Sequence, residues 1–168
     1  MSIEHVILVD EKDNALGTME KMEAHEKGVL HRAFSVIILN NKGEMLLQQR
    51  ALHKYHSGGL WTNACCSHPR PGETIVEAGR RRLSEEMGFQ TDLEVKTHFI
   101  YKASFDNGLT EHELDYVLYG NYDSDPKINP EEVNAFMWMP INDLKISIAN
   151  NPHLYTFWFR ELFHRNLI

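Results

Sequence analysis

Residues 73–87 form the clearest helical pattern in the sequence, and this pattern limits how the rest of the chain can pack. Val76, Leu83 and Met87 recur on one stripe of a helix, because residues three or four apart lie on the same face. Gly88 follows at the position where helices often end in a left-handed residue. A helix with one apolar face needs a partner layer, so the flanking segments must supply a sheet or further helices.

Short apolar segments on both sides of this helix predict the partner layer to be a sheet. Strands are expected at residues 5–10, 15–19, 31–39, 44–50, 61–67, 93–101, 111–120 and 133–139. Further helical segments are expected at residues 20–25, 142–149 and 151–165. The order of elements predicts an α/β (α+β) fold in which helices flank a mixed sheet. A length of 168 residues suits a single compact domain, 1–168.

Charge and cysteine content exclude several functional classes. The net charge is −7 and no long basic run is present, which argues against a nucleic-acid partner. Apolar runs such as residues 36–39 are too short to span a bilayer, and the N-terminus has no secretory signal pattern. Cys65 and Cys66 are adjacent, so they cannot link distant parts of the fold. Reduced thiols in the cytoplasm are therefore expected.

A thiol and an imidazole lie two residues apart in the segment 61–69. Residues two apart on a strand face the same way, so Cys66 and His68 share one face and Cys65 faces the other. A thiol beside an imidazole on one face is typical of a pocket that catalyses a reaction or binds a metal. The alternative is that Cys66 is buried as a small apolar side chain.

Glu111 and Glu113 repeat this spacing on a later strand. Two carboxylates on one face repel, so either they border a solvated edge or a cation lies between them. His25 and His31 flank a glycine at the entry to a strand, where a histidine can be structural or a ligand. If these four residues and His68 converge, the site has mixed nitrogen and oxygen ligands, which suit Mn, Zn or Fe.

Basic residues offer a second group of candidates. Arg82 and Glu86 are four apart on the helix, which is the spacing of an ordinary surface ion pair. The functional alternative is that Glu86 helps to hold a magnesium ion and Arg82 a phosphate. Lys21, Arg50 and Lys54 are further candidate phosphate ligands.

The helix and the segment before it resemble a degenerate Nudix box. The usual box reads G-x5-E-x7-R-E-U-x-E-E-x-G-U, where U is a bulky apolar residue, and the match runs from Ser67 to Phe89. Ser67 replaces the first glycine, and Arg82 replaces the glutamate that follows the arginine. These departures count against ordinary Nudix hydrolysis, since that helix normally gathers several carboxylates around magnesium.

Two further segments make the resemblance more specific. The Trp-Thr-Asn-x-x-Cys-x-His-Pro pattern at 61–69 and Glu-His-Glu at 111–113, together with the box, resemble type I isopentenyl-diphosphate delta-isomerases. The resemblance runs from about His5 to the terminal helix. It implies a Nudix-like core at 29–164, with 1–28 as an N-terminal extension packed on it.

The resemblance implies an enzyme that isomerises isopentenyl diphosphate to dimethylallyl diphosphate in isoprenoid biosynthesis. The reaction proceeds by protonation and deprotonation through a tertiary carbocation. Cys66 matches the catalytic thiol and Glu113 the catalytic carboxylate, without indicating which of them donates a proton first. The substrate is a small isoprenyl diphosphate, and a cytoplasmic monomer with no nucleic-acid or membrane partner is expected.

The remaining family positions also have counterparts in this sequence. The ligands of one divalent metal, Mn²⁺, Mg²⁺ or Zn²⁺, match His25, His31, His68, Glu111 and Glu113. Glu86 matches the residue associated with a substrate-bound Mg²⁺. The diphosphate contacts match Lys21, Arg50, Lys54 and Arg82. The aromatic residues of the hydrocarbon pocket match Tyr101 and Trp158.

Two other interpretations compete with the isomerase. A Nudix-type diphosphate hydrolase would use water as the nucleophile, and Cys66 would be incidental to it. A metal-stabilised binding domain would have an inert Cys66. A ligand set rich in carboxylates counts against the second, because structural zinc prefers four ligands rich in cysteine.

Overall fold

A computed structural model of the chain describes residues 3–168. Its strands are β1 (His5–Val9), β2 (Ala15–Glu20), β3 (His31–Leu39), β4 (Glu44–Arg50), β5 (Trp61–Thr62), β6 (Cys65–Ser67), β7 (Glu94–Ser104), β8 (Thr110–Asn121) and β9 (Val133–Pro140). Its helices are α1 (Lys21–Lys27), α2 (Ile75–Met87), α3 (Ile141–Asn150) and α4 (Phe157–His164), with a short 3-10 helix at Pro152–Leu154. The strands belong to one mixed sheet. The predicted fold class, a mixed sheet flanked by helices in one compact domain, is confirmed.

β3 is the strand around which the sheet is organised. β8 runs parallel to it along the whole length from His31 to Leu39. Along the other edge, β1, β6 and β4 pair with β3 in turn, all antiparallel. The parallel pairing brings the starts of β3 and β8 together, with His31 directly opposite Glu113. Polar residues near these two strand starts therefore lie at the same end of the sheet.

Each face of the sheet has its own apolar core. Val36 and Ile38 of β3 pack on one face with Leu83 of α2. Ile37 points to the opposite face and packs there with Phe159 of α4. This alternation follows from the two-residue period of a strand. β3 is therefore buried on both faces, as its nearly continuous apolar run indicates.

The predicted strand at residues 61–67 is interrupted at Asn63. β5 pairs with β4, whereas β6 pairs with β3, so the chain passes from one neighbour to another at this point. The Asn63 side chain stabilises the break, because its Nδ2 donates to the carbonyl oxygens of Val36 at 2.9 Å and Cys65 at 3.0 Å. The interruption changes the direction of the segment while leaving the alternation of β6 intact.

Two helices begin later than the sequence pattern predicts. α2 begins at Ile75, because the side chain of Thr74 caps it by accepting from the backbone N–H of Glu77 at 3.2 Å. α4 begins at Phe157, because the preceding residue is extended and its backbone N–H donates to the carbonyl of Trp61 at 3.0 Å. The division into a core at 29–164 and an extension at 1–28 stays a prediction, and β1 joins the same sheet as β3.

Gly88→Ala is expected to destabilise the fold more than Gly43→Ala does. Both glycines have positive φ, 72° and 76°, which costs other residues about 1–2 kcal/mol. A Cβ at Gly88 would lie 2.4 Å from the carbonyl oxygen of Lys127, whereas within residues 3–168 a Cβ at Gly43 meets nothing within 4 Å. Urea denaturation gives both free energies of unfolding. Equal losses would mean that the Lys127 segment moves away without cost.

Candidate active site

Five imidazole and carboxylate groups converge at the end of the sheet where β3 and β8 begin. One ligand atom from each lies within 4.8 Å of the ligand atoms of all the others. The five residues are His25, His31, His68, Glu111 and Glu113. They come from α1, β3, the residue after β6, and β8. A set of three nitrogen and two oxygen ligands suits a divalent transition metal such as Mn, Zn or Fe.

Strand pairing explains why residues so far apart in the chain meet. Glu111 and Glu113 share a face of β8, as their two-residue spacing predicts, and His31 is the register partner of Glu113. The Nε2 atom of His31 lies 3.1 Å from Glu113 Oε2, and that of His68 lies 2.6 Å from the same oxygen. α1 leads into β3 and brings His25 Nε2 to 3.1 Å from Glu111 Oε1.

The outer nitrogens of two histidines are already occupied. His25 Nδ1 donates to the carbonyl of Lys21 at 2.6 Å, and His31 Nδ1 donates to the carbonyl of Val29 at 2.8 Å. Each Nε2 lone pair is then directed into the cluster, which is the usual arrangement of metal-ligating histidines. Within residues 3–168, the buried Oε2 of Glu111 has no hydrogen-bond partner. A bound cation would satisfy that oxygen, so the residues present fit a metal ion.

The electrostatics of the cluster also suit a cation. Burial opposes ionisation of Glu111, yet its hydrogen bonds with Glu113, His25 and His56 hold its pKa well below the usual range. Burial lowers the pKa of His68. Burial acts in the same direction on His25 and His31, but the facing carboxylates raise their pKa values. Metal affinity is therefore expected to fall at acid pH, where these imidazoles take up protons.

Cys66 and Cys65 point to opposite faces of β6, which confirms the prediction from alternation. Cys65 packs in the core beneath α2, and its thiol donates to Glu86 Oε2 at 2.8 Å. Cys66 faces the pocket, where its thiol donates to Asn63 Oδ1 at 3.0 Å and its sulfur accepts from Trp158 Nε1 at 2.9 Å. Burial raises the pKa of Cys66 to about 12, with the charge of Asp115 acting in the same direction.

Alkylation of Cys66 by iodoacetamide is expected to be slow. Its rate should keep rising with pH at values well above the pKa of an ordinary cysteine thiol. A thiol with a pKa of about 12 stays protonated at lower pH, and only the thiolate reacts. At about pH 8 the rate should be on the order of a thousandfold below that of an exposed cysteine with a pKa of about 8.5. Lys42→Cys supplies that exposed reference in the same chain. A Cys66 rate that levels off above about pH 9.5 would contradict the raised pKa.

Basic side chains line an adjoining pocket that also reaches Cys66 and His68. These side chains are Lys21, Arg50, Lys54 and Arg82. Lys21 pairs with Glu4 at 2.9 Å, and Glu132 bridges Lys54 and Arg82. The guanidinium of Arg50 lies 5.3 Å from the ring centroid of Trp158. Four positively charged side chains beside the Cys66 thiol make this pocket suitable for binding an anionic group.

The other predicted residues divide between the pocket and the core. Tyr101 and Trp158 line the pocket that contains Cys66 and Glu113, and the Tyr101 hydroxyl donates to Glu113 Oε1 at 2.5 Å. Glu86 lies apart from the five-residue cluster. It is buried on α2 between Cys65 and Arg82, whose guanidinium is 3.6 Å away.

Asn63 and His56 are among the residues of the site that were not predicted from the sequence. Asn63 orients the Cys66 thiol, and its place three residues before Cys66 in a polar stretch of a strand was a usable signal. His56 lines the pocket and contacts Glu111, but it belongs to a loop that has no periodicity. A buried loop histidine has no pattern in the sequence that distinguishes it from an exposed one such as His53.

Comparison with known proteins gives consistent matches over nearly the whole chain. Residues 29–162 match the NUDIX domain model. The chain is 50% identical over 165 residues to a protein of Photobacterium profundum named isopentenyl-diphosphate Delta-isomerase, covering 95% of this chain and 92% of that protein. A protein of the same name from Pectobacterium atrosepticum is 48% identical over 165 residues, covering 98% and 92%. Isopentenyl-diphosphate Delta-isomerase 2 of Aromatoleum aromaticum is 46% identical over 162 residues, covering 96% and 86%.

Solved structures support the same fold at lower sequence identity. The crystal structure of DR0079 from Deinococcus radiodurans superposes with a TM-score of 0.80 at 21% identity, covering 96% of this chain and 98% of that one. A MutT protein from Methanosarcina mazei gives a TM-score of 0.67 at 20% identity, covering 81% and 91%. Within residues 3–168, no helix combines the length and the apolar character needed to cross a membrane.

Proposed function

This chain belongs to the isopentenyl-diphosphate Delta-isomerase family of NUDIX-domain proteins, and we propose that it converts isopentenyl diphosphate to dimethylallyl diphosphate. The observation that carries the proposal is a single pocket lined by both Cys66 and Glu113 beside the metal-ligand cluster. A thiol and a carboxyl group in one pocket are two proton carriers within reach of one small substrate.

The reaction needs two proton carriers and no other reactant. One proton is added at C4 of the alkene, the double-bond electrons form the new C–H bond, and a tertiary carbocation results. A proton then leaves C2, and its C–H electrons form the new double bond. One of Cys66 and Glu113 gives a proton and the other takes one, so atoms and charge balance over the turnover.

The pocket walls suit a short-lived carbocation. Trp158 and Tyr101 are almost fully buried, and both line the pocket. An aromatic face near the cation would stabilise it by about 2 kcal/mol in a desolvated site. The same burial keeps water, which would capture the cation, away from the reacting carbons.

The five-residue cluster would hold one divalent metal, which we propose to be Mn²⁺, Mg²⁺ or Zn²⁺. When bound, this ion supplies positive charge that stabilises the paired carboxylates and tunes the acidity of Glu113. His25 and His31 are arranged to offer Nε2 lone pairs, and the Nε2 of His68 faces Glu113. Glu111 offers an oxygen that has no hydrogen-bond partner among residues 3–168. One oxygen of Glu113 accepts a hydrogen bond from the Tyr101 hydroxyl, and the other faces the imidazoles of His31 and His68.

We assign the diphosphate to the basic pocket. Lys21, Arg50, Lys54 and Arg82 would bind its oxygens, and charge-assisted hydrogen bonds of this type are stronger than neutral ones. Glu86, four residues from Arg82 on α2, would assist through a substrate-bound Mg²⁺. Both cysteines are free thiols, which supports a reducing compartment such as the cytoplasm. A monomer without nucleic-acid or membrane partners stays a prediction.

Product analysis separates this proposal from Nudix hydrolysis. Purified, metal-loaded protein is incubated with isopentenyl diphosphate and Mg²⁺, and dimethylallyl diphosphate and released phosphate are both measured. Dimethylallyl diphosphate without phosphate release is expected, because Arg82 stands where the Nudix box has a glutamate. Phosphate release without isomerised product would favour the hydrolase. Folded, metal-loaded protein that yields neither would overturn the proposal.

A further inference from the structure

His56 is a buried histidine outside every motif on which the proposed function rests. It lies in the loop between β4 and β5 and is 5% exposed. Its ring stacks on Phe105 at a centroid distance of 4.6 Å and an interplanar angle of 6°. The His56 ring also makes an edge-to-face contact with the Trp158 ring, with the two ring centroids 5.7 Å apart. The loop is therefore folded inward so that this imidazole forms part of the pocket wall.

The loop backbone holds His56 in place. The guanidinium of Arg50 donates to the His56 carbonyl at 3.2 Å, and Asn107 donates to the carbonyl of the preceding residue at 2.8 Å. Gly58 lets the loop close tightly, because a Cβ there would lie 2.6 Å from the carbonyl oxygen of Leu52. These contacts limit the movement of the His56 ring, so its two nitrogens point in fixed directions.

Both ring nitrogens of His56 have a partner. Nε2 lies 2.5 Å from Glu111 Oε1, and Nδ1 lies 3.1 Å from the hydroxyl of Ser57. An ionised carboxylate can only accept, so Nε2 is the nitrogen that donates to Glu111. His56 therefore uses its inward nitrogen as a donor to a metal-ligand residue, and it is not one of the five clustered residues.

We propose that His56 is a positioning residue for the metal site and that it orients the carboxylate of Glu111 toward the ion. This inference rests on the proposed metal site and extends it to a residue outside the sequence patterns at 61–69, 67–89 and 111–113. Tyr101 gives Glu113 a corresponding hydrogen bond, so each of the two carboxylates accepts a hydrogen bond from a ring outside the five-residue cluster. Losing such an outer partner typically weakens metal affinity by about 10- to 100-fold.

Three variants of the full chain test the role of His56. His56→Phe keeps the stacking on Phe105 but loses the donor, and His56→Gln keeps an N–H at a similar reach. His53→Phe is the matched control, because His53 is exposed in the same loop. Each protein is stripped with a chelator, and Mn²⁺ binding without substrate is measured by calorimetry or by competition with a metal indicator.

His56→Phe is expected to bind Mn²⁺ about 10- to 100-fold more weakly, with His56→Gln within about threefold of the unchanged protein. His53→Phe should bind like the unchanged protein. Wild-type affinity in folded His56→Phe would overturn the proposal, as would a loss in His56→Gln equal to that in His56→Phe. If His56→Phe does not fold, His56→Asn replaces it, since its shorter side chain does not reach Glu111.

The outcome is separate from that of the isomerase assay. Wild-type protein that binds Mn²⁺ but makes no dimethylallyl diphosphate would refute the proposed function and leave the His56 result intact. Wild-type protein that isomerises, with unchanged Mn²⁺ binding in His56→Phe, would refute only the role of His56.

Discussion

Cys66→Ala is expected to lose nearly all isomerase turnover, whereas Cys65→Ala keeps most of it. The two residues are neighbours in sequence, but only Cys66 faces the pocket, and Cys65 packs beneath α2. Removing one proton carrier should reduce the rate by about 10²- to 10⁴-fold. Turnover of isopentenyl diphosphate, measured at saturating substrate and metal, gives the comparison.

Cys66→Ser tests whether the expected loss of turnover comes from losing the proton carrier, not from disturbed packing around residue 66. A serine hydroxyl can keep the hydrogen bonds with Asn63 and Trp158 that the thiol makes. It is a much weaker acid than the thiol, so we expect Cys66→Ser to be nearly as inactive as Cys66→Ala. Cys65→Ala removes the donor to Glu86 and should cost about 1 kcal/mol of stability without a comparable loss of rate. Equal inactivation of Cys65→Ala would contradict the assignment.

Glu113→Gln is expected to lose turnover even when metal is saturating. The amide keeps the shape of the carboxyl group and can still accept a hydrogen bond from the Tyr101 hydroxyl. It cannot carry the proton that the reaction transfers. The expected loss is again about 10²- to 10⁴-fold. Turnover is measured across a Mn²⁺ titration, so that weakened metal binding is separated from the loss of the proton carrier.

Two variants serve as controls for Glu113→Gln. Glu111→Gln also removes a ligand from the cluster, and excess Mn²⁺ should restore part of its activity. Glu94→Gln changes an exposed residue of β7 and should behave as wild type. Restoration of Glu113→Gln by metal to the same degree as Glu111→Gln would show that Glu113 acts only as a ligand.

Much of the site could be predicted, because parts of it are local. The alternation of strand residues predicts that Cys66 and His68 share a face, and likewise Glu111 and Glu113. All four line the same pocket. The glycine after α2 is in the left-handed conformation that its position indicates. Such features depend on residues a few positions apart, so backbone geometry alone is enough to infer them.

Features that depend on distant partners could not be read in the same way. The sequence does not show that β5 pairs with β4 and β6 with β3, so the break at Asn63 was not predicted. It also does not show that the residue before α4 docks on Trp61, which delays the start of that helix. In both places a tertiary hydrogen bond overrides the local pattern.

The sequence by itself determined the fold class, the helix that Gly88 follows, and the types of residue available for metal and proton chemistry. Only the tertiary structure decided that these residues form one site. Parallel pairing sets His31 opposite Glu113, 82 positions along the chain, and an irregular loop turns His56 onto Glu111. The physical reason is that strand order and loop closure depend on packing between segments that are remote in the chain, which no local periodicity encodes.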